Sequence, residues 1–71
     1  MDSVYKVIEL VGTSTESWEK AAATAVEMAA QSLHDLRVAE VVELDMMIED
    51  GMVVAYRAKV KVSFKYQKGS D

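Results

Sequence analysis

Apolar positions change their spacing three times along this chain, and each change marks an element. Over residues 4–11 β-branched and aromatic residues dominate, which predicts a first strand ending at Gly12, where the chain can turn without a Cβ penalty. Trp18, Ala21, Ala22, Ala25, Val26, Ala29, Leu33 and Leu36 then recur at three- and four-residue steps, the stripe of an amphipathic helix. Most of that stripe is alanine, so the helix axis can lie close to a sheet while Trp18 supplies bulk at one end. Glu16, Glu19, Lys20, Thr24, Glu27 and Gln31 fall mainly on the watered face. Ser14 is the expected N-cap, since a hydroxyl there can accept from an orphan amide of the first turn; a capping box from Thr13 to Glu16 is the competing reading.

Residues 38–48 contain Val38, Val41, Val42, Leu44, Met46, Met47 and Ile48 without strict alternation, the pattern of a strand buried on both faces. Glu49, Asp50 and Gly51 make a short hairpin turn, because Asp and Gly tolerate positive φ. The last strand, over 52–66, alternates cleanly. Val54, Tyr56, Ala58, Val60, Val62 and Phe64 should face the helix, and Arg57, Lys59, Lys61, Ser63 and Lys65 should lie beside acids such as Glu9, Glu40, Glu43 or Asp45. The order strand, helix, strand, strand is that of an α+β domain. The tail over 67–71 is polar, and fraying is expected there.

The lengths of these elements do not match. A helix over 15–34 spans roughly 30 Å, whereas a strand over 52–66 spans roughly 50 Å. The excess apolar β-surface must pack on something else, and the first functional inference is a homo-oligomer assembled through its sheet. Size agrees: 71 residues form one domain, 1–71, small enough to need disulfides, a metal or self-association for robustness. Cysteine is absent, which removes disulfides, thiolate nucleophiles and Cys-based zinc sites and agrees with a reducing compartment. No run approaches the 18 or so apolar residues of a membrane span, and Met-Asp-Ser-Val-Tyr-Lys does not resemble a signal peptide. A soluble, cytoplasmic protein without a membrane partner is expected. The charge of −4, from 12 acidic against 8 basic residues, would repel a phosphate backbone, so nucleic acid is not an expected partner and cations suit the chain better.

Candidates for catalysis are few. His34 is the only histidine and falls near the expected helix end, where a capping or surface role outweighs acid-base work because no Ser or Asp partner follows at a recognisable spacing. Tyr5, Tyr56 and Tyr66 read as cross-strand or interface packing before they read as a pocket. Met28, Met46, Met47 and Met52 are gap fillers before they are ligands. No nucleophile, base and orienting group can be assembled, so an enzyme is not expected.

Val4-Tyr5-Lys6, Glu9-Leu10-Val11-Gly12-Thr13-Ser14, the Ala-rich helix, Ala39-Glu40-Val41 and Val60-Lys61-Val62-Ser63-Phe64 together resemble the dodecins across nearly the whole chain. The resemblance implies a β-α-β-β protein with a three-stranded antiparallel sheet wrapped around one helix. Twelve copies would close into a hollow shell, a homododecamer. The better-known dodecins bind flavins such as riboflavin or FMN in pairs, stacking the ring on a tryptophan at the start of the second strand and holding its edge with a glutamine on the third. The matching positions here are Val38 and Arg57. A valine offers no π-face, and an arginine lacks the amide's paired donor and acceptor, so both flavin determinants are missing. Trp18 does not replace them, because it belongs to the apolar stripe. Thr15-Glu16-Ser17-Trp18-Glu19 and Leu36-Arg37-Val38-Ala39 resemble the calcium-binding branch instead. Calcium takes several oxygen ligands at about 2.3 to 2.6 Å, which symmetry-related subunits could supply jointly. Glu49 and Asp50 are the candidate metal ligands, with an exposed acidic turn as the plainer reading, and no EF-hand spacing occurs. The expected function is non-catalytic binding or storage of a small ligand: calcium or another divalent cation first, and a flavin in a modified pocket near Val38 and Arg57 as the alternative.

Overall fold

A computed structural model describes residues 2–66, so the polar tail over 67–71 lies outside the described residues. The elements are β1 (Tyr5–Ser14), α1 (Trp18–Ala30), β2 (Leu36–Glu49) and β3 (Met52–Lys65), and the strands form one antiparallel sheet in the order β1-β3-β2. Strand β3 is central. Its alternation carries through as expected: Ala58, Val60 and Val62 are buried beneath the helix, and with Ala21, Ala25 and Ala29 they make up the core. Ile8, Leu10, Val26 and Leu36 pack around its rim.

Gly12 does not end the first strand. It pairs with Ala58 inside β1, and a methyl group built on it would overlap the carbonyl oxygen of Ala21 and press on Cβ of Ala25. The glycine is there for close approach, not for a turn. Together with the alanine stripe it lets the helix lie almost on the sheet backbone.

The helix is also shorter and later than its stripe implies. Ser17, not Ser14, is the N-cap: its Oγ accepts the amide of Lys20 at 3.0 Å, and its carbonyl accepts the first helical bond from Ala21. Ser14 Oγ instead accepts from the amides of Glu16 and Ser17, which folds the connecting turn. At the other end Gln31 caps the helix, so His34 lies in the following loop, exposed and clear of the last turn. Asp35 then takes a left-handed φ of 61° to start β2.

A 13-residue helix spans roughly 20 Å, and it packs mainly on β1 and β3. Strand β2 is therefore left largely uncovered, so the expected burial on both faces is not met within one chain: Val41, Val42, Leu44, Met46, Met47 and Ile48 are all exposed. The broken alternation of β2 has a different cause, irregularities in its ladder between Leu36 and Val38, Val41 and Glu43, and Met47 and Ile48. The extra residue at Val42 shifts the phase, so that the acids Glu43 and Asp45 still meet Lys59 and Arg57. The last β1 rung joins Ser14 to Tyr56, and beyond it the β2–β3 hairpin runs on alone to the turn at Asp50 and Gly51, whose φ values of 52° and 76° are those of a tight type I′ turn. This projecting arm stretches the protomer to 52 × 20 × 14 Å, with a radius of gyration of 14.7 Å against about 11 Å for a compact chain of this length.

Candidate functional site

The face of the sheet turned away from the helix carries a ladder of charge. Lys61 on β3 lies between Glu9 on β1 and Glu40 on β2, Lys59 lies opposite Glu43, and Arg57 lies opposite Asp45. The basic row thus meets the acids the alternation assigned to it. Lys59 Nζ reaches Glu43 Oε1 at 3.3 Å. The tightest pair is Arg57 with Asp45, where Nε donates to Oδ1 at 2.7 Å and Nη2 to Oδ2 at 2.9 Å. That two-pronged grip suits the planar guanidinium. Hydrogen bonds from Arg57, with the positive charges of Arg57 and Lys59, hold the Asp45 carboxyl below its ordinary value, and the same partner raises Arg57.

The same rung is tied to the helix. Trp18 Nε1 donates to the backbone carbonyl of Asp45 at 3.0 Å, and its indole meets Tyr56 edge to face, with ring centroids 5.0 Å apart and planes at 64°. Trp18, placed on the apolar stripe by its spacing, is thus a half-buried strut joining the first helical turn to β3 and the edge strand β2. Spacing alone missed this role, because it identifies a helix face but not the carbonyl the indole nitrogen finds.

Val38 lies elsewhere. It pairs with Ser63, whose hydroxyl donates to its carbonyl at 3.4 Å, and the residue is 62% exposed. That rung lies six positions along β3 from Arg57, roughly 20 Å of strand. One protomer therefore does not bring Val38 and Arg57 into one pocket. Glu49 and Asp50 stand exposed at the tip of the arm, farther away again. Among the described residues no group of three or more His, Asp or Glu side chains is gathered to hold a metal ion. Two carboxylates are too few for calcium, which takes six to eight oxygens, so the residues of a single chain do not fit it.

Set against known sequences, residues 4–67 match the model of the family described as Dodecin. The chain belongs to the dodecin family. It is 54% identical over 63 residues to the calcium dodecin of Mycobacterium tuberculosis, covering 89% of both chains, and 37% identical over 68 residues to the dodecin of Thermus thermophilus, covering 96% of this chain and 99% of that one. Solved structures agree. The dodecin of Streptomyces davaonensis superposes with a TM-score of 0.87 at 32% identity, covering 96% of this chain and all of that one. The M. tuberculosis calcium dodecin, described as a calcium-chelating antigen with a novel calcium-binding site, superposes with a TM-score of 0.82 at 50% identity, covering 97% and 99%. The dodecin fold is thus the α+β arrangement seen here, three antiparallel strands and one helix. Among the described residues no helix is long and apolar enough to cross a membrane.

Proposed function

We propose that this dodecin is a non-catalytic, cytoplasmic small-ligand binding or storage protein of the calcium type, working as a homododecameric shell. The observation that carries the reading is the clasp between Asp45 and Arg57. It commits to a carboxylate the side chain that stands where flavin-binding dodecins hold the ring edge, while Val38 offers only methyl groups where they stack it. The 54% identity to a protein named calcium dodecin supports the cation. So does the net charge of −4. Because one chain gathers no cluster of carboxylates, the ion would be held where copies meet, with Glu49 and Asp50 as the proposed ligands.

Calorimetry on chelator-treated, assembled protein tests this. Binding heat is expected as calcium is added, and it should fall when Glu49 and Asp50 are replaced by Gln and Asn. No heat at millimolar calcium would remove the cation reading. Flavin is the alternative ligand, and quenching of riboflavin fluorescence distinguishes it.

A further inference from the structure

The protomer leaves two apolar features open, and they lie at opposite ends of it. One is the projecting arm, with Met47, Ile48, Met52 and Val53 exposed around it; Ile48 and Met52 are 64% and 68% accessible. The other is a groove of about 520 Å³ between α1 and β1, lined by Ile8, Leu10, Val11, Met28 and Leu33 among others. The arm cannot fill its own groove. It begins at the helix N-terminus, where Trp18 meets Asp45, and points away, whereas Met28 lies ten residues along the helix in the other direction. Met28 and Met52 are roughly 25–30 Å apart within one chain.

We infer that the hairpin arm of one copy docks into the groove between α1 and β1 of the next, in a head-to-tail contact repeated around the assembly; this rests on the self-association proposed above. Area favours a second copy as the occupant. The chain exposes 5438 Å², against roughly 4,400 Å² for a compact monomer of its mass. The excess is of the order of one partner's share of a standard interface, about 800 Å². Economy points the same way. A symmetric arm-to-arm contact leaves every groove empty, whereas one head-to-tail contact covers both surfaces on each copy and closes into a ring. The methionines on both sides suit a contact that must adapt its shape.

Disulfide trapping reads this directly, because the chain contains no cysteine of its own. Within one chain the two positions are far beyond disulfide reach. Oxidised Met28→Cys/Met52→Cys protein is expected to run as covalent multimers on a denaturing, non-reducing gel, while each single variant stays a monomer. If Met52→Cys alone links in pairs, or if the double variant remains monomeric on the gel although native mass spectrometry shows an assembly, the arm does not enter the groove and only this inference falls. A native mass of one chain would remove the assembly itself. A charge pair gives a second reading that does not depend on oxidation: Met28→Glu and Met52→Lys should each lower the native mass, and the two together should restore it. Failure of the pair to restore what each single change takes away overturns the contact.

Discussion

Asp45 and Arg57 face each other across the β2–β3 ladder and are joined by two parallel hydrogen bonds of 2.7 and 2.9 Å. The pair matters less for holding the sheet together, since both side chains are half exposed, than for what it withholds. A guanidinium held this way is turned toward Asp45 on the sheet, and it has no acceptor to offer the edge of a ring.

The unmodified protein should therefore leave riboflavin fluorescence unquenched. Val38→Trp with Arg57→Gln restores a π-face and an amide, and it should confer quenching. Because the two positions are roughly 20 Å apart along one sheet, that quenching should follow the assembled fraction and vanish from any dissociated one. Fluorescence titration across a size-exclusion profile checks both statements.

The clasp also sets an acid limb on stability. A carboxyl held below its ordinary 3.8 in the folded state contributes stability above the unfolded value, and loses it as pH falls through the lower, folded one. Denaturation midpoints should thus fall with acidification below about pH 4, and Asp45→Asn should flatten that part of the curve. Added salt should shrink the difference between the two proteins, since the pair is exposed to solvent.

Gly12→Ala should be costly for a conservative change. The new methyl group meets the Ala21 carbonyl, a backbone atom that cannot rotate away, so the helix must lift off the sheet. A loss of about 1–3 kcal/mol is expected, the range for overpacking a close contact. Chemical denaturation measures it.

Ser17→Ala should cost about 1 kcal/mol through the lost helix cap, and Ser14→Ala should reduce helix content less, since its hydroxyl serves the turn before the helix. Far-UV circular dichroism during urea denaturation of the two variants checks the ranking.

Much of this fold can be read from the residues. The hairpin is legible because Asp50 and Gly51 tolerate positive φ, and β3 because six apolar side chains alternate without a fault. The cross-strand charge pairs follow from that alternation. The cap at Ser17 is not legible in the same way: four hydroxyl residues fall between Thr13 and Ser17, and which of them caps depends on where the chain leaves the sheet. Gly12 reads as a turn in the sequence, and only the packed helix reveals that it serves a close approach instead. In β2 the adjacent valines at 41 and 42 resemble two-faced burial but reflect a bulge, because an inserted residue breaks periodicity just as a second buried face does. The candidate site was legible as a set of substitutions, Val38 and Arg57, but the partner that occupies Arg57 requires the register to place Asp45 opposite it.

The core under the helix is made of small side chains: the largest fully buried ones are Val60 and Val62, and the rest are mostly alanine methyl groups. Such an interior returns little transfer free energy when a chain folds by itself, and under the proposed assembly the larger gain comes from surfaces that encounters between copies cover. The melting temperature of this dodecin should then climb with protein concentration, which would tie the lifetime of each molecule to how abundantly the cell makes it.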